Sequence, residues 1–433
     1  MWLCLDNGIS KIEYVSPFSI YDENFSNLPG NVLSVVKHQD GLYAGTTRGL
    51  YYFAANEKFQ PVPGIRAPCR DLFSSGPYIL AATDKGVFQI ENKKKHTILK
   101  NWSYVLYPSR KDKNRLWVGS SQGLISLYLS RKNQNRRSNW EEEHRFENIT
   151  GEIVSIVEDK KGDLWLGTLT KGVLRVEFSK NKAAANPIVT AAHITRYNPS
   201  QGMLGGEVHV FWAAGHVMFA TGKGIFRFAE KKKVFLPDHT FGIELAGGKN
   251  GRGVFRIVED RKKNTWIHSM GRNIQAIPQS DGTFLLYKKP FRRIPLAQVN
   301  AIYPDGESVW FAGADGLIHY NTNIQKNYDL AFPTLIRRVV INGKPVFGGY
   351  KTAKTNKTGE NRKNSFPMID YKDKNLRFEF SAPFFEAEGE TEYGFFLEGY
   401  DDHWSAWTKE TKKDYTNLDA GIYTFRVLAK NVY

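Results

Sequence analysis

The stretch RLWVGSSQGLISL, from Arg115 to Leu127, decides the fold of this chain. Its first half is an apolar segment in which a tryptophan is followed, two residues later, by a glycine. A short polar turn and another glycine then lead into a second apolar segment. Because both segments are short and lack the 3.6-residue apolar spacing of an amphipathic helix, the stretch predicts two β-strands joined by a tight turn.

The same pattern recurs along the first 330 residues. Its eight copies begin at Met1, Gly41, Tyr78, Arg115, Asp163, His216, Asn264 and Ser308. Their equivalent aromatic or apolar positions are Trp2, Tyr43, Leu80, Trp117, Trp165, Met218, Trp266 and Trp310. Successive copies lie about 44 residues apart, a period that is typical of one four-stranded blade of a β-propeller.

Each recurring position has a physical role in such a blade. The aromatic residue fills the space between neighbouring blades, and the small residue after it lets strands approach closely. The later glycine, as in TTRG, TDKG, SSQG, TGKG and GADG, opens a tight turn at low steric cost. An alternating segment before seven of the copies predicts a further strand in each: NVLSVV, CRDLF, YVLYP, EIVSIVED, EVHVFW, VFRIVED and VNAIYP.

The first copy lacks this upstream strand. We interpret residues 1–14 as the remnant of an upstream blade or as a closing strand. Seven complete units follow and predict an all-β fold with a seven-bladed propeller over residues 15–330, whereas an eight-bladed ring that uses the fragment is the alternative. In either ring, closure protects the strand edges that an open sheet would expose.

A second domain is predicted over residues 331–433, where the repeat has ended. Asn342 and Gly343 join two strands as a hairpin, and the polar stretch 351–365 predicts an exposed loop. Six or seven short strands in about 100 residues indicate an immunoglobulin-like β-sandwich. Since a sandwich that ends at Tyr433 would leave an open edge, we expect this domain to be truncated and the natural protein to continue.

Composition and charge exclude several classes of protein. The chain has 433 residues and a formal net charge of +16. Of this, +14 (44 basic minus 30 acidic residues) precedes residue 331. No apolar run could span a bilayer, and no signal peptide is visible. The basic turns lack a recognition helix or zinc-ligand spacing, so we expect no nucleic acid partner.

Cys4 and Cys69 could form one disulfide or remain two free thiols.

The second domain carries a more specific motif. The run YGFFLEGYDDHW begins at Tyr393, and Tyr415 and Tyr423 follow it. This motif resembles the triple-tyrosine (Y_Y_Y) domain. With the preceding Trp-x-Gly repeats, the chain resembles the two-component regulator propeller family, the periplasmic sensor part of Bacteroidetes-type (hybrid) two-component systems.

The resemblance implies a longer parent protein. In that family a first propeller precedes the part seen here, and a transmembrane helix and an output part such as a histidine kinase follow it. The resemblance therefore implies a periplasmic location and contact with the membrane only through flanking segments. It also implies a homodimer formed through the C-terminal region of the full-length parent.

We therefore predict a non-enzymatic sensor module for signal transduction, in which the propeller binds a ligand and the triple-tyrosine domain relays the event. The resemblance implies a carbohydrate cue, and the basic propeller favours an oligosaccharide or another small anionic or hydroxylated ligand. No cofactor is expected.

The alternative is a protein–protein interaction or dimerisation scaffold without a small-molecule ligand. A propeller hydrolase or lyase would need acidic or histidine residues converging at the channel, where the repeats place mostly Gly, Ala, Thr and Ser.

Candidate ligand-binding residues lie where a unit departs from its own repeat. In the copy that begins at Asn264, His268 and Arg272 replace small residues and could hydrogen-bond a hydroxylated or carboxylated ligand. Trp212 adds a stacking surface for a sugar ring. We predict no catalytic residue and no metal site, because the Asp-Asp-His sequence 401–403 lies in a turn motif, where aspartate favours turn geometry.

Overall fold

The computed structural model describes residues 2–11, 13, 16–54, 57–130, 139–178, 191–197, 201–202, 206–294, 298–348, 369–370 and 375–433. The polar stretch 351–365, predicted as an exposed loop, lies outside these residues. The chain divides into two compact units, Met1–Lys326 and Asn327–Tyr433. Within the described part of the chain, no helix has both the length and the apolar character needed to cross a bilayer.

Three strands and one short helix precede the first complete blade. They are β1 Trp2–Leu5, β2 Gly8–Lys11, β3 Phe18–Tyr21 and α1 Glu23–Ser26. Strands β1 and β2 pair with each other as a separate two-stranded sheet.

Seven four-stranded antiparallel sheets follow in the first unit. Blade 1 is β4 Val32–His38, β5 Gly41–Thr46, β6 Gly49–Phe53 and β7 Phe59–Pro61; blade 2 is β8 Cys69–Ser75, β9 Tyr78–Thr83, β10 Gly86–Glu91 and β11 Lys94–Leu99. Blade 3 is β12 Ser103–Pro108, β13 Arg115–Ser120, β14 Gly123–Leu129 and β15 Trp140–Arg145; blade 4 is β16 Ile153–Glu158, β17 Leu164–Thr168, β18 Val173–Phe178 and β19 Ala191–Tyr197. Blade 5 is β20 Val208–Ala213, β21 His216–Thr221, β22 Gly224–Ala229 and β23 Val234–Pro237; blade 6 is β24 Arg256–Glu259, β25 Thr265–Ser269, β26 Arg272–Pro278 and β27 Phe284–Tyr287, followed by a 3-10 helix at Lys289–Arg293. Blade 7 is β28 Val299–Asp305, β29 Ser308–Gly313 and β30 Gly316–Asn321, completed by β3.

The ring is closed by a strand from the beginning of the chain. Strand β3 pairs with β30, with Phe18 opposite Tyr320 and Tyr21 opposite Leu317. The innermost strands β4, β8, β12, β16, β20, β24 and β28 contact one another in turn, and β28 contacts β4. The predicted seven-bladed propeller is therefore confirmed. The eight-bladed alternative is wrong, because β1 and β2 pair only with each other and add no blade.

Aromatic side chains of the second strands fill the gaps between blades, as predicted. Trp165 in blade 4 is 2% exposed, and its ring packs edge-on against Phe219 of blade 5, with 5.1 Å between the centroids. Trp117 in blade 3 is equally buried among apolar residues of blade 4. Each such burial contributes roughly 2–3 kcal/mol to stability, so the recurring aromatic holds adjacent blades together.

Two glycines show why the repeat requires a residue without a side chain. Gly167 lies so close to blade 5 that a Cβ atom would be 2.2 Å from the Val208 carbonyl oxygen. Gly123 adopts φ of +122°, and a Cβ there would be 1.7 Å from the Ile149 carbonyl oxygen. Any larger residue at either position would force the neighbouring strand or turn away.

The second unit is a β-sandwich. Its strands are β31 Leu335–Ile341, β32 Lys344–Gly348, β33 Leu376–Ser381, β34 Glu392–Glu398, β35 Lys412–Tyr415 and β36 Thr424–Lys430, with a 3-10 helix at Glu388–Glu390. One sheet has the order β32-β31-β33-β35, and β34 pairs with β36 in the other. Between the sheets, Phe378 stacks on Phe425 at 4.0 Å, and Phe380 packs against Tyr393 at 5.3 Å. The predicted immunoglobulin-like sandwich is confirmed.

The tyrosines of the motif hold turns of this sandwich in place. The Tyr415 hydroxyl donates to Asp401 Oδ2 at 2.8 Å, and the same oxygen accepts the Leu397 backbone N–H at 2.7 Å. The Tyr423 hydroxyl donates to the Asp419 carbonyl oxygen at 2.9 Å. Burial, followed by the bond to Asp401, raises the pKa of Tyr415. Asp401 therefore anchors the turn after β34.

Both cysteines are free thiols. Cys4 is exposed in β1, whereas Cys69 is buried in β8. Burial raises the pKa of the Cys69 thiol, so it remains protonated and unreactive at neutral pH.

Candidate ligand-binding site at the channel mouth

All seven innermost strands begin at the same end of the central channel, since each runs alongside the next around the ring. We call this end the mouth. Every blade places a polar or aromatic residue there, at or just before the start of its innermost strand. We define the mouth ring as Asn31, Arg70, Tyr104, Glu152, Glu207, Arg256 and Asn300.

Backbone irregularities place three members of the mouth ring. The pairing register of the innermost strand shifts between Cys69 and Asp71, between Ser103 and Val105, and between Val299 and Ala301. The residue skipped in each case is Arg70, Tyr104 or Asn300. A β-bulge redirects the side chain of the extra residue, which explains why these side chains lie at the mouth and not between blades.

An aromatic and cationic cluster lies on one side of the mouth. Trp102 stacks on Tyr104 with 5.5 Å between the ring centroids and an angle of 29° between the planes. The Arg70 guanidinium carbon lies 5.2 Å from the Trp102 ring and 5.3 Å from the Tyr104 ring. Trp102 nevertheless remains 40% exposed. A ring held in place by its neighbours and open to solvent is a stacking platform for a ligand.

Acidic partners fix the positions of this cluster. Arg70 Nε donates to Asp84 Oδ1 at 2.5 Å, and Arg70 Nη2 donates to Asp84 Oδ2 at 3.2 Å. The Tyr104 hydroxyl donates to Glu152 Oε1 at 2.7 Å. Burial and the neighbouring Glu152 carboxylate raise the pKa of Tyr104 to about 12, so the hydroxyl stays protonated. The cluster is thus organised before any ligand arrives, which lowers the entropic cost of binding.

Arg256 organises the opposite side of the mouth. Its Nη1 donates to the Phe255 carbonyl oxygen at 2.7 Å and its Nε donates to the Asn300 carbonyl oxygen. The same Nη1 lies 3.4 Å from His209 Nε2, which is 2.8 Å from Glu207 Oε1. Burial lowers the pKa of His209, with the Arg256 charge adding to that effect. Neighbouring blades are therefore linked by polar contacts at this end of the channel.

Asp71, next to Arg70 in β8, is a half-buried carboxylate of this region. Its Oδ1 accepts the Leu72 backbone N–H at 2.9 Å, and its Oδ2 accepts the Leu106 backbone N–H at 2.8 Å. Burial raises the pKa of Asp71 to about 6, although both hydrogen bonds and the Arg256 charge act in the opposite direction. A carboxyl group that titrates near pH 6 inside the channel makes the charge of the mouth pH-dependent.

The composition expected for the channel was wrong. Acidic and histidine side chains do converge at the mouth, where Gly, Ala, Thr and Ser were expected. Each of them is engaged by the protein itself: Glu152 by Tyr104, Glu207 by His209, and Asp71 by backbone N–H groups.

The three residues singled out in the sequence do not come together. His268 and Arg272 flank the turn between β25 and β26, near the mouth, whereas Trp212 lies at the far end of β20. His268 is 2% exposed; its Nδ1 lies 2.8 Å from Asn273 Oδ1, and its Nε2 accepts the Val299 backbone N–H at 3.3 Å.

Trp212 and Arg272 have different surroundings. The Arg110 guanidinium carbon lies 4.4 Å from the centroid of the Trp212 ring, so one cation already covers this half-buried side chain. Arg272 is exposed. Their roles in ligand binding remain predictions.

Trp102 and Arg70 were missed as site residues. The sequence contained one signal for each of them. Trp102 immediately precedes the alternating segment of the third blade, and Arg70 stands inside that of the second, where an apolar residue occupies the same position in the first. The β-bulges that bring Arg70 and Tyr104, the ring on which Trp102 stacks, to the mouth leave no mark in a single sequence.

Two family models match segments of the chain. The Y_Y_Y domain matches residues 385–433, and the two component regulator propeller matches residues 149–170. The predicted resemblance is therefore confirmed. The fold and these matches together define the class of this protein: a seven-bladed β-propeller followed by a Y_Y_Y sandwich.

Solved structures share this fold. The chain is similar to the extracellular domain described as that of the hybrid two component system BT3049 from B. thetaiotaomicron, with 18% identity and a TM-score of 0.64 over 98% of this chain and 56% of that chain. It is also similar to the extracellular domain described as that of the one component system BT4673 from B. thetaiotaomicron, with 15% identity and a TM-score of 0.54 over 99% of this chain and 59% of that chain. The chain thus spans less than two thirds of either structure.

Other comparisons are weaker. Virginiamycin B lyase from Staphylococcus aureus matches 70% of this chain and 97% of its own length at 15% identity, with a TM-score of 0.46, which supports no shared activity. No curated protein matches the chain.

Proposed function

We propose that this chain is the periplasmic, ligand-sensing part of a membrane-bound regulator of the two-component type. The observation that carries the proposal is the presence, in one chain, of a two component regulator propeller match and a Y_Y_Y domain. The likeness in fold to the extracellular domains described as those of a hybrid two component system and a one component system supports it. Binding, and not catalysis, is the role proposed for the propeller.

The ligand proposed for the mouth is a carbohydrate. Trp102 offers an exposed aromatic surface on which the apolar face of a sugar ring can stack. Arg70 and Tyr104 lie beside it, and they and their partners Asp84 and Glu152 offer polar and charged groups that suit hydroxyl groups. The basic propeller, with +14 of the net charge before residue 331, favours acidic over neutral oligosaccharides.

The signal proposed for the Y_Y_Y domain is a change in the arrangement of the two units or of a dimer. A ligand can drive such a change only through different affinities for two arrangements. A hundredfold difference in affinity corresponds to about 2.7 kcal/mol, which changes the populations of two states substantially.

The experiment is a glycan-array screen of the whole chain followed by calorimetry with the best oligosaccharide. Trp102→Ala should weaken binding at least tenfold, because the stacking surface is lost. Trp212→Ala is the matched control and should bind as the wild type does, since that ring lies at the far end of β20.

The outcomes of these experiments distinguish whether the chain binds a saccharide from where on the propeller the saccharide binds. Loss of binding in Trp212→Ala but not in Trp102→Ala would move the ligand to the other end of the channel. Arg272→Ala tests the remaining exposed candidate in the same way. Absence of binding to every saccharide would contradict the carbohydrate proposal and favour an interaction scaffold.

One observation favours such a scaffold as the second candidate. Trp404, Trp407 and Leu428 of the second unit are 40%, 46% and 50% exposed. Exposed large apolar residues around one short sheet are typical of interaction surfaces. A homodimer through this unit predicts that light scattering gives twice the chain mass, and that Trp407→Ala reduces it to the monomer mass.

A further inference from the structure

The second unit has an open cleft on its larger sheet. The cleft lies where β31, β33 and β35 run side by side, and its volume is about 550 Å³. A volume of this size is within the range of small-molecule sites. We call it the β31 cleft and define it by its described lining residues, all of which belong to the second unit: Arg337, Glu379, Phe380, Ser381, Thr411 and Lys412.

A β-bulge places Arg337 at this cleft. The pairing register between β31 and β33 shifts between Ile336 and Arg338, so Arg337 is the extra residue of β31. A bulge redirects the side chain of the extra residue. Strand β32 packs closely against the bulge, because a Cβ atom on Gly348 would be 1.9 Å from the Arg337 carbonyl oxygen. The exposed Arg337 side chain is therefore carried by a backbone that its neighbours hold in place.

Two cations of the cleft have no counterion. The side chains of Arg337 and Lys412 make no hydrogen bond or ion pair with any residue in the part of the chain that the structure describes. Lys412 stands opposite Glu379 across the ladder between β33 and β35, yet the two charged groups form no ion pair. An unpaired guanidinium and an unpaired ammonium group in one concave site attract an anion.

The nearby carboxylates do not neutralise these two cations. Glu379 is the one carboxylate among the described lining residues, and its Oε1 lies 3.7 Å from Arg338 Nη1. Asp414 accepts hydrogen bonds from Arg377 Nε at 2.6 Å and from Arg377 Nη2 at 2.8 Å. These bonds are the main cause that lowers the pKa of Asp414, and the Lys412 charge adds to it. With Glu379 opposed by Arg338, the unpaired cations leave a net charge of +2 in the cleft.

Two hydroxyl groups complete the polar lining. The Ser381 and Thr411 hydroxyls have no hydrogen-bond partner among the described residues. Ser381 ends β33, and Thr411 immediately precedes β35. The Phe380 backbone N–H donates to the Thr411 carbonyl oxygen at 2.9 Å and so joins these two strand ends at the cleft. A hydroxyl group can donate to an oxyanion and can also accept a proton from one.

We propose that the β31 cleft binds a phosphate group, either free or as a monoester. Arg337 pairs with two phosphate oxygens in the bidentate geometry that a guanidinium favours, and Lys412 pairs with another. The Ser381 and Thr411 hydroxyls bind the remaining oxygens. A phosphate monoester is nearly a dianion at neutral pH, so it matches a charge of +2 better than a carboxylate does. This site lies in the second unit and is independent of the carbohydrate proposed for the mouth.

The test is calorimetry of the whole chain with inorganic phosphate at constant ionic strength, with acetate as the comparison ligand. Phosphate should bind saturably, and acetate should bind at least tenfold more weakly. Arg337→Gln and Lys412→Gln should each weaken phosphate binding roughly tenfold, because one charged pair is lost. Since both side chains are exposed, the phosphate-free variants should melt at the wild-type temperature.

A control variant and a second measurement isolate the proposed site. Lys344→Gln removes an exposed, unpaired cation from β32, outside the cleft lining, and should leave phosphate binding unchanged. In differential scanning calorimetry, phosphate should raise the transition that Leu397→Ala lowers, because a ligand stabilises the unit that binds it. A transition that Phe219→Ala lowers should not move with phosphate.

Four results would each overturn the proposal. They are the absence of saturable phosphate binding, equal binding of acetate, unaltered binding in both Arg337→Gln and Lys412→Gln, and an equal rise of both transitions with phosphate. Failure of the mouth to bind oligosaccharides would not affect the outcome.

Two further ligands distinguish the source of the phosphate group. Glycerol 3-phosphate is a soluble monoester, and phosphatidylcholine vesicles that contain phosphatidic acid present the same group on a lipid surface. Vesicle binding that Arg337→Gln reduces and Lys344→Gln does not would support a lipid headgroup. Binding of glycerol 3-phosphate without binding of vesicles would support a soluble monoester, and binding of inorganic phosphate alone would support the free anion.

Discussion

The pKa of the Asp71 carboxyl group is set by its surroundings in the propeller and differs from that of a free aspartate. It stands in the innermost strand of blade 2, accepts two backbone N–H groups, and has a pKa raised to about 6 by burial. The unfolded chain would lose this proton near pH 4. Between these two pH values the folded state holds the proton more tightly than the unfolded state does.

The first prediction concerns this proton. Because the folded pKa of Asp71 is raised, its contribution to stability is fully present below about pH 4 and is lost as the pH rises through about 6. The loss amounts to at most ~3 kcal/mol. Urea unfolding between pH 4.5 and pH 7.5 should show wild-type stability falling relative to that of Asp71→Asn, which has no proton to lose. Parallel stability curves for the two proteins would contradict it.

Strand β3, only four residues long, closes the ring through its pairing with β30 and through the contacts of Phe18. Phe18 stacks on Tyr320 with 4.9 Å between the ring centroids, and packs edge-on against Phe291 at 6.2 Å. Nearby, Asn300 Nδ2 donates to Asn31 Oδ1 at 2.7 Å and so joins blade 7 to blade 1. These contacts connect the two ends of the propeller sequence.

The second prediction concerns this closure. Phe18→Ala should destabilise the protein by about 2 kcal/mol, because a half-buried ring is removed from the joint between the ends. Phe25→Ala is the matched control: that ring is 78% exposed, and its removal should change stability by less than about 0.5 kcal/mol. Chemical unfolding of both variants measures the difference. Equal stabilities would mean that β3 does not hold the ring closed.

At this scale the sequence predicted most elements but not their irregularities. The innermost strands, the hairpin at Asn342 and Gly343 and the interblade aromatics could be recognised, because alternation, turn residues and a repeat are local patterns. The pairing of Phe18 with Tyr320 and the hydrogen bond between Asn300 and Asn31 could not. Both depend on residues that meet only after the chain has folded around the ring.

The whole chain combines two units that have separate cores. The buried cluster around Leu397 and Tyr415 belongs entirely to the second unit, whereas that around Trp165 and Phe219 belongs entirely to the first. Two units with their own cores are not expected to unfold as one two-state system.

The third prediction is therefore two transitions in differential scanning calorimetry. Leu397→Ala, at a side chain 1% exposed, should remove about 3 kcal/mol and shift one transition to lower temperature. Phe219→Ala, at a fully buried ring of the propeller, should shift the other. If both variants moved a single common transition, the two units would not be energetically separate.

The amino-acid sequence by itself determined the fold class, the repeat of the blades and the Y_Y_Y motif. Each of these rests on residue patterns confined to a few dozen neighbouring positions, where period and turn chemistry act directly. Only the tertiary structure decided the mouth ring, the closing strand and the choice of seven blades over eight. These features arise where bulged strands of different blades and the two ends of the ring meet, and their geometry depends on backbone positions that no local pattern records.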